Sequence, residues 1–183
     1  MNKYLRALVV IPTGFLKTLC LKVFHPKSFK GVHFAQISPH TEITLEKGGK
    51  LIIGKGLKMR DWAKIRVRKG AQLLIGNNVS INSNNILACR ENITIGDNVE
   101  FSPGVQIYDH DHDFKANGGI KAKLYKKSSI IIGNNVWIGA NAIILRGSNI
   151  GDNTVIAAGS VVKDIVPSNS VFLQKKENTI KKF

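Results

Sequence analysis

The stretch "IIIGNNVWIGANAIILRGSNIGDNTVIAAGSVVKDIV", Ile130–Val166, decides the fold. Ile132, Ile138, Ile144, Ile150, Ile156 and Val162 recur every six residues. Two residues ahead of each stand Ile130, Val136, Ala142, Ser148, Thr154 and Ser160, mostly small or β-branched, and Gly133, Gly139 and Gly151 follow their markers. A helix repeats near 3.6 residues and a half-buried strand at 2, so a sustained period of six calls for a repeat architecture. The physical reading is an all-β solenoid of short parallel strands and tight turns. Apolar markers fill its interior, small partners fit its corners, and Asn134-Asn135 and Asp152-Asn153 supply turn conformations. Each coil buries its face only by stacking on the next.

Working outward, "LIIGKG" (Leu51–Gly56), "LLIGNNVSI" (Leu73–Ile81) and "ITIGDNVEF" (Ile93–Phe101) repeat the markers less regularly. Ile53, Ile75 and Ile95 lie slightly more than three hexads apart, so each early coil is expected to carry a bulge beyond one triangular turn. The expected organisation is an N-terminal segment 1–28, a β-helix over 29–171 with an excursion at about 113–129, and a basic tail 172–183 carrying Lys175, Lys176, Lys181 and Lys182.

The first segment, "MNKYLRALVVIPTGFLKTLCLKVFHPK", holds an apolar run Ala7–Leu16 that contains Pro12 and Gly14 and ends at Lys17. It reads as too short to span a bilayer and has no small-residue cleavage site. From Thr13 onward, Phe15, Leu16, Leu19, Cys20, Val23 and Phe24 share one helical face, with Lys17, Thr18 and Lys22 elsewhere. A basic amphipathic helix is expected, lying in a membrane interface or packing on its own domain or on a neighbouring subunit.

The chain's 183 residues carry a formal charge of +15, with 43% hydrophobic and 21% charged residues, which excludes global disorder and implies anionic company. Nucleic acid is disfavoured, because no zinc-finger, RRM or helix-turn-helix pattern is present. Cys20 and Cys89 form no disulfide or zinc spacing, which fits a cytoplasmic location, with the N-terminal segment pointing to the inner face of the membrane.

The hexads are interrupted at "GVQIYDHDHDF", Gly104–Phe114. On a continuing strand His110 and His112 share one face with Tyr108, and Asp109, Asp111 and Asp113 take the other, an arrangement that a turn at the loop entry would change. Neutral imidazole accepts a proton near neutrality, which suits a general base. A His-x-His pair could chelate zinc, but His25, His33 and His40 lie far upstream and no third ligand is evident, so no metal is expected. The loop "DFKANGGIKAKLYKKSS" that follows is glycine-containing and basic.

The three-sided hexads, the internal loop, "NNVWIGANAIIL" and "IGDNTVIAAGSVVKD" together resemble the left-handed β-helix acyltransferases, closest to the galactoside, maltose and polysaccharide O-acetyltransferases, over about residues 50–166. The resemblance implies a left-handed parallel β-helix, a homotrimer and acetyl-CoA as donor. It implies a sugar hydroxyl as acceptor, in a surface glycan or its lipid-linked precursor. It places the general base at His112, with His110 as the alternative base or a contact, and puts Asn82, Tyr108 and Asp109 beside the acceptor. It sets Trp137 and Gly139 along the cofactor channel, the Ala140 N–H at the oxyanion, and Lys163 at the phosphates, while Ala157 and Ala158 allow close backbone approach. The family's glycine-proline-alanine turn after "VPSNSV" is replaced here by "FLQKKENTIKKF", which keeps an acyl carrier protein open as donor. N-acylation of a nucleotide-linked amino sugar and a non-catalytic scaffold are the other readings.

Overall fold

The computed structural model describes residues 3–31 and 35–175. Its hexads form a parallel β-solenoid with three faces. The first stacks seven strands from Phe29–Lys30 to Ile165–Val166, the second seven from Gln36–Ile37 to Val171–Phe172, and the third six from Glu42–Leu45 to Val161–Val162. Markers stack on markers, with Ile95 beside Ile132, Phe101 beside Ile138 and Ile107 beside Ile144. The six markers from Ile132 to Val162 are fully buried, and their small partners Ala142, Ser148, Thr154 and Ser160 are buried at the corners.

The edge between first and second faces explains the Asn/Asp pairs. The Asn77, Asp97, Asn134 and Asp152 side chains and the Ser168 hydroxyl each accept a backbone N–H from the coil before, at Lys55, Asn77, Asp97, Asn134 and Asp152. The second residue of each pair is left-handed, φ 54–57° at Asn78, Asn98, Asn135 and Asn153, and its amide bonds the next asparagine. Asparagine tolerates that conformation and closes the ladder with its own side chain.

Those bonds also measure the coils, whose lengths run 22, 20, 37, 18 and 16 residues in turn. Spacing stays at six from Ile53 to Met59 to Ile65 and lengthens only on the way to Ile75. Every irregularity, the excursion included, therefore sits on the edge between third and first faces. Gly48 (φ 79°) and Gly70 (φ 75°) turn the chain there in the early coils.

Stacked glycines set how closely the coils approach. A Cβ on Gly96 would lie 2.7 Å from the Gly133 carbonyl carbon and oxygen, which are backbone and cannot yield cheaply. Gly96→Ala is therefore expected to destabilise the fold by about 1–3 kcal/mol, read as a lowered midpoint in urea unfolding.

The N-terminal helix is longer than the sequence suggested. It runs Lys3–Phe24, 22 residues, with Pro12 inside it. The window Ala7–Phe24, mean hydropathy 1.7, is long and apolar enough to cross a membrane by length and composition, which corrects the reading that it is too short. The helix covers the end of the solenoid beside Gln36–Ile37, burying Val10, Gly14 and Thr18. His33 and the tail lysines Lys176, Lys181 and Lys182 lie outside the described residues, and Lys175 is exposed.

Candidate active site

The strand Gln106–Tyr108 belongs to the third face and ends there. Asp109 then bends inward and is wholly buried. Its carboxylate accepts the Arg90 N–H at 2.8 and 3.0 Å and the Glu91 N–H at 2.7 Å, and lies 2.9 Å from His110 Nδ1. Burial pushes this carboxyl up, but the hydrogen bonds from His110, Arg90 and Glu91 outweigh it and hold it below the usual carboxylate range. Two expectations are corrected here. The alternation breaks at the bend, so Asp109 meets an imidazole instead of facing away from it. A wholly buried Asp109 also contacts no acceptor. The physical reason lies in the preceding coil, whose turn N–H groups at Arg90 and Glu91 need an acceptor once buried. Neighbouring Cys89 donates its thiol to the Gln72 carbonyl, and burial together with the Asp109 charge pushes that thiol well up, so it packs as a small apolar group.

Beyond the bend the chain forms a hairpin, His110–His112 antiparallel to Tyr125–Lys127, with a short 3-10 turn at Gly119–Ala122. The excursion is thus already a strand at His110. Arg146 Nε donates to Asp111 at 2.6 Å and ties the hairpin to the following coil, while Lys127 lies 3.6 Å from Glu91. Tyr125 is the hub. Its ring lies edge-on to His110 at 5.5 Å, tilted against His112 at 4.7 Å, and under the Arg90 guanidinium at 3.8 Å.

The two histidines are not equivalent. His110 is 14% exposed in its side chain, edge-on to Tyr108. An ionised Asp109 makes Nδ1–H the donor and leaves the lone pair on Nε2. His112 is exposed on the open side of the hairpin. Tyr108 is half-buried and donates its hydroxyl to the Gln106 side chain at 3.0 Å.

The remaining candidates divide between edges. Lys163 is exposed on the edge of the histidines. Asn82, Gly139, Ala140, Ala157 and Ala158 stand on the edge between second and third faces, with Trp137 just before it. There Asn82 Oδ1 accepts the Ser83 N–H, and the half-exposed Trp137 donates its indole N–H to Ser102 at 2.9 Å. Gly139 is buried, Ala140 and Ala157 are half-buried, and Ala158 is exposed. The Ala140 carbonyl accepts the Gly159 N–H, and no partner for the Ala140 N–H stands among the described residues. Asn84 is a left-handed turn residue and Asn85 is buried on the Val105 N–H, so both serve the fold. One chain therefore brings Tyr108, Asp109, His110 and His112 together, and keeps the Asn82–Trp137–Ala140 group on another edge.

Sequence reasoning missed Arg90 and Tyr125. Counting coils would have put Cys89 beside Asp109 and Arg90 one residue on, because Ala88 and Tyr108 are neighbours on consecutive strands of the third face. Tyr125 carried no signal, since hairpin register is not legible from a glycine-rich loop. Among the described residues no three His, Cys, Asp or Glu side chains gather as a metal site.

Residues 129–164 match the family described as bacterial transferase hexapeptide, six repeats. The chain is similar to the galactoside O-acetyltransferase of Escherichia coli, 40% identical over 56% of this chain and 50% of that protein. It is also similar to the putative lipopolysaccharide biosynthesis O-acetyl transferase WbbJ of the same species, 31% identical over 61% of each. The chain thus spans between half and about three-fifths of these relatives. Among solved structures, the N-acyltransferase AntD of Bacillus cereus, in complex with dTDP and coenzyme A, shares the fold with a TM-score of 0.70 at 21% identity, covering 89% of this chain and 87% of that one. A hexapeptide-repeat acetyltransferase of Vibrio cholerae, complexed with acetyl coenzyme A, does so with a TM-score of 0.55 at 24% identity, covering 88% and 82%.

Proposed function

We propose that this chain, whose residues 129–164 match the hexapeptide transferase family and whose coils are similar to sugar O-acetyltransferases, transfers an acetyl group from acetyl-CoA to a sugar hydroxyl, in a surface glycan or its lipid-linked precursor. The observation that carries the reading is the pair of imidazoles at the mouth of the hairpin, one clamped by a buried carboxylate and the other open to an acceptor.

His112 is the base, because a group that takes a proton from a bulky acceptor must be approachable. It removes the hydroxyl proton as that oxygen attacks the thioester carbonyl. A tetrahedral oxyanion forms, and the Ala140 N–H is suited to receive it. The intermediate collapses with cleavage of the C–S bond, and the thiolate takes the proton from the imidazolium. His110 and Asp109 are positioning residues that pin the first strand of the hairpin, and Arg90 over the Tyr125 ring holds the second. The exposed lysines, Lys163 among them, suit the donor's phosphates.

Because the histidines and the Ala140 N–H stand on different edges, the reading requires a second copy of the chain to bring the two together, in a cyclic trimer. The test is incubation of the purified chain with acetyl-CoA and a panel of sugars, following thiol release and the acetylated product by mass spectrometry. A sugar ester is expected. Acetylation confined to amines, or the absence of both coenzyme A binding and transfer, overturns the reading.

A further inference from the structure

The N-terminal helix is turned inside out relative to an ordinary surface helix. Facing the solenoid are Val10, Gly14, Lys17, Thr18 and Leu21, of which Thr18 is 2% exposed. Gly14 touches the Ala35 carbonyl, where no side chain would fit. Lys17 Nζ donates to the Ser38, Pro39 and Thr41 carbonyls and to the Thr41 hydroxyl, at 2.7–3.3 Å, and burial lowers its pKa. The side turned away carries Leu8, Val9, Leu16, Leu19 and Val23, exposed by 72, 44, 60, 37 and 64%, with the exposed Lys22 on its flank. A soluble helix does the opposite, burying its apolar stripe and wetting its polar one. An uninterrupted apolar face of this kind marks an interaction surface.

The surroundings select the occupant. At the helix's C-terminal end Phe24, 77% exposed, shares a hollow with Lys27 and Lys47, and Lys27, Lys30 and Lys50 line the next. Glu42, which lines a hollow with the helix, is already paired with Arg66 at 2.7 Å. We propose that this face docks on the surface of an anionic bilayer, with the helix lying in the interface plane and the lysines among the headgroups. Contacts with the solenoid from Val10 to Leu21 hold the helix across its end, so it lies on the membrane rather than crossing it. A two-fold contact with a second copy would bring identical basic flanks together, which opposes it. Basic side chains beside an inserted apolar face are instead attracted to anionic lipid.

The inference stands apart from acetyl transfer, so either can fail alone. Its test is co-sedimentation of the full chain with vesicles of phosphatidylcholine alone and of phosphatidylcholine mixed with phosphatidylglycerol. Wild-type protein is expected to pellet with the mixed vesicles, less so as salt rises. Leu16→Glu/Val23→Glu is expected to weaken partition by tenfold or more, with unchanged far-UV circular dichroism. Lys27→Glu/Lys47→Glu, which leaves the apolar face intact, is expected to abolish the preference for anionic lipid. Wild-type protein that stays in the supernatant, or a Leu16→Glu/Val23→Glu variant that pellets like wild type, overturns the proposal. So does light scattering that shows copies held together through this face and parted by the same substitutions.

Discussion

His112→Ala is expected to lower kcat for acetyl transfer by about 10²–10⁴-fold, the usual contribution of a positioned proton acceptor. KM for acetyl-CoA should change little, because the lost group acts on the hydroxyl and not on the thioester arm. His110→Ala should cost less and act differently. Its ring is largely covered and its Nδ1 is committed to Asp109, so its removal loosens the strand that carries His112 without deleting the base. Steady-state kinetics on both variants, comparing kcat with KM, separates the roles. A larger loss in His110→Ala than in His112→Ala would exchange the two assignments.

Asp109→Asn is expected to act on the fold first and on the reaction through it. The carboxylate serves two backbone donors and one imidazole donor while wholly buried, and an amide would turn an NH₂ toward at least one of them. Leaving such groups mispaired costs about 2–3 kcal/mol. For a chain of this size that is a melting point lower by roughly 4–12 °C. The pH dependence gives the second readout. Because the folded pKa of Asp109 lies below its unfolded value, its stabilisation is complete above about pH 4, the ordinary carboxylate value, and disappears as pH falls through the folded pKa. Wild-type protein should thus lose stability in acid below that point, and Asp109→Asn should lose less over the same interval. Thermal melts at neutral pH and at pH values below 4 decide it. A variant with wild-type melting at neutral pH would mean that the clamp does not hold the hairpin.

How much of this was legible in the sequence can be argued from a few residues. The hexads from Ile132 to Val162 were, because a buried marker every six residues has no helical or simple strand equivalent, and all six are buried. The Asn-Asn and Asp-Asn pairs read correctly as turns. That each first member also caps a backbone N–H of the coil before needed the stacking register. The helix was misjudged at its start, because Pro12 and Gly14 look like breakers in isolation. In the fold Pro12 lies exposed on the solvent side, and Gly14 provides the close approach to Ala35. Asp109 was misplaced because period-2 alternation holds only within a strand, and the strand stops one residue before it.

One edge of the solenoid takes up every departure from the eighteen-residue turn, from the early bulges to the hairpin that bears the histidines. The hydrophobic interior closes identically above and below whatever leaves the coil at that corner. Segments of different length or chemistry can therefore be exchanged there without disturbing strand pairing. The hairpin and its imidazoles are then free to diverge in length and chemistry while the stacked coils beneath them stay the same.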